Sequence, residues 1–272
     1  MTLRSRHEVV EFEVDLRHWR GPELTIAVLS DLHVVAPWTS LRDVERFVED
    51  TNAMAPDIVV LAGDYLTGKS MPGRVANASE IAAVLDALRA RHGVIAILGN
   101  HDWFDCELAE SSDFQRSSVV EAFERSSISL LRNGSAKLSP GGHDLWLVGF
   151  DSQRPVRIDW NRGLHRPEEA YAGVPEGVAT ILLAHEPEYF GRGDGRAGLQ
   201  ISGHTHGGQL NLFGWRPLVR LHSDMGYAYG HYRDGDRSLI VSGGLGFSGG
   251  PRRIGQAPEI TVVRVRGGRN AT

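Results

Sequence analysis

The sequence has a single cysteine, Cys106, among 272 residues. One cysteine cannot form an internal disulfide, which fits a reducing compartment. No apolar run approaches the roughly 20 residues that a membrane-spanning helix requires. The N-terminal segment is polar and alternating, so it does not have the pattern of a secretory signal peptide. We therefore expect a cytoplasmic location, and peripheral contact with the inner membrane stays open.

The sequence also lacks an excess of basic charge. Its formal net charge is −5, from 29 Lys and Arg against 34 Asp and Glu. Proteins that bind nucleic acid present a basic surface to the phosphates, so nucleic acid is not an expected partner. The composition is otherwise ordinary, with 41% hydrophobic and 23% charged residues. The two excesses are 32 glycines and 12 histidines.

Short apolar runs alternate with amphipathic stretches, and this alternation predicts an α/β fold. Because no repeat or long linker interrupts the chain, we predict one domain over residues 1–272, with a small cap or insertion at about 103–135. Strands are predicted at 8–16, 24–29, 57–62, 94–98, 145–150, 180–184, 199–202, 238–242 and 259–266. Helices are predicted at 41–54, with Ser40 as N-cap, at 79–91 and near 117–125.

Five of these predicted strands are each followed by polar residues that can bind a metal ion. These residues are Asp31, His33, Asp64, Asn100, His101, His185, His204 and His206. Because ligands of open α/β sheets bind at the carboxyl ends of strands, we expect the side chains to converge on one crevice. Each alone is compatible with a turn, a helix cap or a buried histidine. Those explanations would have to hold independently at five strand ends, so one shared site is the better hypothesis.

The donor atoms of this set point to transition metals. Oxygen and nitrogen donors together suit Mn, Zn or Fe rather than Ca or Mg, whose sites are mostly oxygen. Seven residues are candidate ligands: Asp31, His33, Asp64, Asn100, His185, His204 and His206. That number exceeds the coordination of one ion, so we predict two divalent ions that share the carboxylate of Asp64. Two ions about 3.5–4 Å apart stabilise the attacking and leaving oxygens of phosphoryl transfer.

Five motifs occur in a fixed order along the chain. They are Asp31-Leu32-His33, Gly63-Asp64, Gly99-Asn100-His101-Asp102, His185 and Gly203-His204-Thr205-His206. In this order they resemble the calcineurin-like metallophosphoesterase superfamily, over residues 24–266. The stretches LAHEPEYF, SGHTHGGQL and SGGLGFSGGPRRIGQAPEI resemble its YaeI- and YkuE-like bacterial phosphodiesterase branch. The resemblance implies a four-layer α/β/β/α sandwich of two mixed β-sheets flanked by helices.

The resemblance also implies a role for each motif residue. One metal would be held by Asp31, His33, Asp64 and His206, and the second by Asp64, Asn100, His185 and His204. His101 would face the substrate phosphate and protonate the leaving group, and Asp102 would orient His101. A hydroxide that bridges the metals would be the nucleophile. The implied enzyme is a binuclear metallophosphoesterase, and a phosphodiesterase is the leading hypothesis.

Two alternatives stay open. One is a pyrophosphohydrolase of a nucleotide-linked lipid, similar to the branch that acts on UDP-2,3-diacylglucosamine. The other is a non-catalytic metal-binding scaffold of the same fold. The expected substrate is a small phosphoester or a lipid-linked phosphate, and no obligate protein partner is evident.

Residues outside the ligand set are candidates for substrate recognition. Arg252 and Arg253 follow the glycine-rich loop 243–250 and are candidates to bind a phosphate, together with Asn100 and His101. The apolar residues near the motifs either pack in the core or line a pocket beside the metals. They are Trp103, Phe104, Phe213, Trp215 and Leu218. A cluster of exposed apolar residues would indicate a membrane-associated substrate.

Overall fold

Strands and helices alternate along the chain as the sequence predicts. The computed structural model describes residues 7–68, 72–155, 163–217, 219, 223–250 and 253–268. The strands are β1 (Glu8–Leu16), β2 (Leu24–Leu29), β3 (Val35–Ala36), β4 (Ile58–Leu61), β5 (Arg74–Val75), β6 (Val94–Ala96), β7 (Ser129–Leu130), β8 (Gly134–Leu138), β9 (Leu145–Gly149), β10 (Ala179–Leu183), β11 (Leu199–Ser202), β12 (Gly230–Asp234), β13 (Arg237–Val241) and β14 (Glu259–Gly267). The helices are α1 (Leu41–Ala53), α2 (Ala78–Leu85), α3 (His101–Phe104), α4 (Glu107–Ser111), α5 (Ser118–Phe123), α6 (Pro167–Tyr171) and α7 (Tyr189–Arg192).

Two six-stranded mixed sheets carry most of these strands. The first has the order β1-β14-β2-β4-β6-β7 and the second β12-β13-β11-β10-β9-β8, while β3 pairs with β5 in a short ribbon. Strands β2, β4, β6 and β7 run parallel, as do β9, β10, β11 and β13. Parallel strands are covered on both faces, which explains why their sequences are continuous apolar runs.

Side chains alternate between two buried faces along each central strand. In β2, Ile26 and Val28 point into a core that they share with Ile181 and Ile201 of the second sheet. Ala27 and Leu29, which alternate with them, face helices α1, α2 and α5 in a separate core. The outer face of the second sheet packs on α6 in a third cluster. The order of layers is therefore α/β/β/α, which confirms the predicted fold class.

The predicted strands are all present. The largest shift of a strand end is in β6, which is predicted to end at residue 98 and ends at Ala96. Helix α1 begins at the predicted cap: Oγ of Ser40 accepts the N–H of Asp43, whose carboxylate accepts the N–H of Ser40. This reciprocal capping box satisfies two amide groups that the first helical turn leaves without partners.

Helix α2 is shorter than predicted. The apolar pattern predicts residues 79–91, whereas the helix spans Ala78–Leu85. Beyond the end of α2, the side chain of Asn52 makes hydrogen bonds with the backbone. Its Nδ2 donates to the carbonyl of Ala87 at 2.9 Å, and its Oδ1 accepts the N–H of Arg89 at 2.7 Å. A tertiary contact therefore ends a helix that local sequence would continue.

The structure adds strands that the sequence does not predict. Strands β8 and β12 lie at the two edges of the second sheet, and their segments GSAKL and GHYRD mix polar and apolar residues. Edge strands face solvent on one side, so a continuous apolar run is not required of them. The strand β7 and the β3–β5 ribbon have two residues per strand, too few for any periodicity to show.

The segment 103–135, predicted as a cap or insertion, carries α4, α5, β7 and the end of α3. Its residues Trp103, Ala109 and Phe123 are fully or almost fully buried in the core beneath the first sheet. This part of the segment therefore belongs to the helical layer. Among the described residues, no helix combines the length and apolar character that a membrane span needs.

We expect Ile181→Ala to lower the free energy of unfolding by about 2–5 kcal/mol, because Ile181 is completely buried between the sheets and its loss leaves a cavity. Urea denaturation measures the change. Val9→Ala removes an exposed apolar side chain from β1 and is the control. Equal unfolding midpoints for the two variants would contradict the assignment of this core.

Candidate metal centre

The predicted site residues meet at one end of the sandwich, where the carboxyl ends of strands from both sheets come together. Asp31 follows β2 of the first sheet and accepts the N–H of His204, which follows β11 of the second, at 3.0 Å. His185 follows β10, and its Nδ1 lies 2.7 Å from the carbonyl oxygen of Ala62, which follows β4. The site residues therefore also join the two sheets.

Five of the predicted ligands have left-handed backbone conformations. Their φ angles are 55° at Asp31, 42° at His33, 59° at Asp64, 73° at His204 and 53° at His206. Residues other than glycine rarely adopt positive φ, and such strain concentrates at functional sites. At a strand end, this turn aims a side chain back over the edge of the sheet. The concentration of strain at these five positions marks the cluster as functional.

Two glycines allow the strand ends to approach each other this closely. A Cβ on Gly203 would lie 1.9 Å from Oγ of Ser30 and 2.6 Å from Oδ2 of Asp31. Gly63 has φ 94°, and a Cβ there would lie 2.5 Å from the amide nitrogen of Gly99. Neither position has room for a side chain, so the glycines of these motifs are a steric requirement of the site.

The possible ligand atoms form three overlapping groups, each with all its atoms within 4.8 Å of one another. The groups are Asp31, His33 and His206; His33, Asp64 and His101; and Asp64, His185 and His204, and all these side chains except the half-buried His101 are buried. Oδ2 of Asp64 lies 3.0 Å from Nε2 of His185 and 3.6 Å from Nε2 of His33. Asp64 therefore lies between His185 of the third group and His33 of the first, as a shared ligand must.

Hydrogen bonds prepare three histidines for metal binding. Nδ1 lies 2.9 Å from the carbonyl oxygen of Leu66 in His33, 2.7 Å from that of Ala62 in His185, and 2.8 Å from Oδ1 of Asn100 in His204. An oxygen partner assigns a ring proton to Nδ1, so in the neutral ring Nε2 is the nitrogen that carries the lone pair. Histidines that bind metals are usually held by such a bond from the other ring nitrogen.

His185 and Asp64 are placed like adjacent ligands of one ion. Nε2 of His185 is buried and lies 3.0 Å from Oδ2 of Asp64. Burial lowers the pKa of His185, but the carboxylates of Asp64 and Asp31 outweigh this and raise it well above its usual value in the metal-free protein. A divalent ion would replace the proton between these two atoms. The residues present therefore fit divalent metal ions.

The charges of the cluster are consistent with that use. Burial raises the pKa of Asp31 to about 6. Burial also raises the pKa of Asp64, but His185 and His101 outweigh that effect and hold it well below its usual value. Burial lowers the pKa of His33 to about 3, so its ring is neutral and available as a ligand. Buried carboxylates require a partner of opposite charge, and bound cations would provide one.

The expectation that Asp102 orients His101 is wrong. Nδ1 of His101 contacts the carboxylate of Asp105, one helical turn further along, rather than that of Asp102. The i, i+4 spacing of His101 and Asp105 is the sequence signal for this pair, but it applies only if residues 101–105 are predicted to form a helical turn.

Phe104 packs on the ring of His101, with the two ring centroids 4.4 Å apart. Its side chain is half-buried, so it lies beside the site rather than in the core.

Asp102 instead organises the backbone of the site. Its completely buried carboxylate accepts four N–H groups: Asp64 at 2.8 Å, Tyr65 at 2.8 Å, Leu66 at 3.1 Å and Gly99 at 2.9 Å. Burial raises the pKa of Asp102 to about 7, and these amide donors oppose that rise. The four bonds tie the loop that carries Asp64 to the loop that carries Asn100.

The histidine pair lies in a turn rather than in an extended segment. His206–Gly208 forms a 3-10 turn, and both histidines have positive φ. His204 and His206 point into different ligand groups, as expected. His206 differs from the other histidines of the cluster because its Nδ1 lies 3.2 Å from Nη2 of Arg253, a donor.

Arg253 is a largely buried support for the neighbouring loop. Its guanidinium donates to the carbonyls of Gly243 and Gly246 and contacts His206. Contact of Arg253 with a substrate phosphate stays a prediction.

The other predicted recognition residues differ in their placement. Arg252 and Leu218 lie outside the described residues. Trp103, by contrast, is completely buried, and its Nε1 donates to Asp151.

We expect Asp102→Asn to lower the free energy of unfolding of the metal-free protein by about 2–4 kcal/mol. The amide keeps one acceptor oxygen and turns its NH₂ group toward two buried N–H donors. Thermal or urea denaturation tests this. Glu110→Gln makes the same type of change on the exposed side of α4 and should leave stability unchanged. A change for Asp102→Asn as small as that of the control would contradict the role of Asp102.

Known proteins are similar to this chain in sequence and in fold. The family model for the calcineurin-like phosphoesterase matches residues 24–208. The metallophosphoesterase YkuE of Bacillus subtilis is 27% identical over 243 residues, which are 89% of this chain and 78% of YkuE. YkoQ of the same organism is 28% identical over 253 residues, which are 89% of this chain and 84% of YkoQ.

The structure of the NAD nucleotidase NadN of Haemophilus influenzae shows the same fold, with a TM-score of 0.51 and 14% sequence identity. The superposition covers 83% of this chain and 51% of NadN, so the chain spans about half the length of that protein. Because the family model covers more than half of the chain, this protein belongs to the calcineurin-like phosphoesterase family, and its similarity to YkuE and YkoQ is consistent with the YkuE-like branch.

Proposed function

We propose that the protein is a phosphodiesterase that works with two divalent transition-metal ions, of Mn, Zn or Fe. The observation that carries the proposal is the overlap of the ligand groups at the Asp64 carboxylate. Asp31, His33 and His206 would hold one ion and His185 and His204 the other, with Asp64 as the shared ligand. When bound, the ions would supply Lewis acidity to the phosphoryl oxygens and lower the pKa of a water molecule.

The chain itself provides the fixed geometry for that chemistry. The Asp102 carboxylate and the left-handed turns hold the ligand atoms in place before metal or substrate binds. Because these groups are already ordered, little reorganisation is needed when charge develops on the phosphate.

His101 is the proposed proton donor to the leaving alkoxide. Its Nδ1 is held by Asp105, so Nε2 is the nitrogen that can give up a proton. Burial lowers the pKa of His101, but the carboxylates of Asp64 and Asp105 outweigh this and raise it above its usual value. A protonated ring beside the metal ligands can donate to an oxygen that leaves with negative charge.

The proposed substrate is a small phosphodiester or a lipid-linked phosphate, and a cytoplasmic location stays part of the proposal. A second candidate is the pyrophosphohydrolase of a nucleotide-linked lipid. The observation that favours it is the full exposure of Phe213 and the partial exposure of Trp215, which follow the histidine pair in the chain.

Metal-dependent hydrolysis of an aryl phosphodiester is the direct test. We expect activity to disappear on dialysis against EDTA and to return with Mn²⁺. Asp64→Asn removes the charge of the shared ligand and should lower kcat/KM by more than about 100-fold. Mutation of a residue that only hydrogen-bonds a metal ligand already lowers activity or metal affinity by about 10–100-fold. His101→Ala should lower kcat by about 10²–10⁴-fold and leave bound metal unchanged.

Asp224→Asn and His231→Ala are the controls, since they make similar changes at an exposed carboxylate and a half-buried histidine outside the site. Equal activity in wild type, Asp64→Asn and His101→Ala would overturn the proposal. Protein that carries transition metal but hydrolyses no phosphoester would instead favour a non-catalytic metal-binding scaffold.

The contact between His101 and Asp105 has a consequence for the pH dependence of kcat. A raised pKa keeps the imidazolium protonated to higher pH, so a step that needs this acid is lost as pH rises through the pKa of His101. Asp105→Asn removes a carboxylate that raises this pKa. We therefore expect the alkaline limb of the kcat profile to move to lower pH, with kcat reduced about tenfold at neutral pH. A limb that stays at its wild-type position would contradict the role of Asp105.

A further inference from the structure

A small hairpin follows the histidine pair and projects from the site. Leu212 and Trp215 exchange two backbone hydrogen bonds, of 2.8 and 3.1 Å, around a two-residue turn made of Phe213 and Gly214. The φ angles of these two residues are 54° and 94°, which are typical of a type I′ turn.

Phe213 is an unusual residue for the tip of such a turn. The first position of a type I′ turn favours Asn, Asp or Gly, because a bulky side chain is strained at positive φ. The Phe213 side chain is also entirely exposed, with a relative accessibility of 109%. Both features are unfavourable for a protein alone in water. An apolar phase that receives the ring would account for the exposure, and backbone strain of this kind persists where a function requires it.

Apolar exposure is concentrated around this tip. Among the described residues, eight large apolar side chains are exposed, and half of them belong to the hairpin or the strand segment beside it: Leu212, Phe213, Trp215 and Ile254. Leu210 forms a backbone bridge with Ile254, and this bridge places the two segments side by side. The result is one apolar projection rather than scattered surface residues.

The hairpin is firmly attached to the metal centre. The side chain of Arg216, on its returning strand, donates to the carbonyl of Gly207 and to Oε1 of Gln256. Gly207 directly follows His206, a candidate ligand. Asn211, at the base, accepts the N–H of Gly214 and donates to the carbonyl of Ile254. The tip therefore has a fixed position relative to the ligands.

The sequence around the projection carries charge of one sign only. Segments 206–222 and 243–256 contain four arginines, Arg216, Arg220, Arg252 and Arg253, of which Arg253 is largely buried, and no Asp or Glu, in a chain with a net charge of −5. An uncharged aromatic tip within a sequence segment that carries only positive charge is typical of elements that enter the interface of anionic bilayers.

We propose that the hairpin 211–215 inserts Phe213 and Trp215 into the surface of an anionic bilayer. On the proposed function, this places the metal centre at the level of lipid headgroups, so the substrate is a phosphoester carried by a membrane lipid. The hairpin anchors the enzyme to the membrane, and the metal centre carries out the chemistry.

Flotation of the metal-loaded full-length protein with vesicles tests the inference. We expect binding to vesicles of phosphatidylcholine mixed with phosphatidylglycerol, and weaker binding to phosphatidylcholine alone. The double variant Phe213→Ser, Trp215→Ser should weaken the binding by at least about tenfold, because it removes both rings whose burial would drive insertion. Val9→Ser with Met225→Ser, which removes two exposed apolar side chains elsewhere, should bind as wild type does.

Hydrolysis of a water-soluble aryl phosphodiester separates this inference from the proposed function. The double variant should retain wild-type activity on that substrate, which also shows that it is folded. Vesicle binding with no hydrolysis by any variant would overturn the phosphodiesterase and leave the membrane contact supported. Absence of vesicle binding, or equal binding by the double variant, would overturn the membrane contact. Self-association of wild type that the double variant loses, without vesicle binding, would assign the hairpin to a protein interface instead.

Discussion

The carboxylate of Asp102 holds the backbone that the rest of the site depends on. Five candidate ligands have left-handed φ angles that are unfavourable in isolation, so the surrounding structure has to hold them. Asp102 does this for the Asp64 loop by accepting four buried N–H groups from two strand ends. Asp31 has the corresponding role between the sheets, since it accepts the N–H of His204. The ligand side chains are aimed by backbone hydrogen bonds made deep in the fold.

This arrangement concentrates buried carboxylates that need positive charge beside them. Asp31 and Asp64 are both buried, and in the metal-free protein His185 and His101 hold the pKa of Asp64 well below its usual value. Divalent ions bound at the cluster would take over this role from the histidines. The same features that make the metal-free cluster costly give it affinity for divalent ions, so folding stability and metal binding are coupled here.

The sequence was informative wherever a local pattern determined the structure. An apolar strand that ends in Asp, Asn or His is visible in a few residues, so the central strands and the ligand set could be predicted. Features that depend on contacts across the fold could not. The end of α2 is set by Asn52, and the partner of His101 is Asp105 because α3 turns once between them. The four N–H groups that meet at Asp102 come from two separate loops.

The hairpin shows how one short segment can combine chemistry and recognition. His206 supplies a candidate ligand, the glycines after it provide the left-handed turn, and the next residues form the apolar tip. Only a few residues separate the ligand from Phe213, and Arg216 ties the returning strand back to the carbonyl of Gly207. A movement of the tip would therefore strain the turn that holds His206. Through these hydrogen bonds, the fold sets the position of the metal centre relative to the apolar tip.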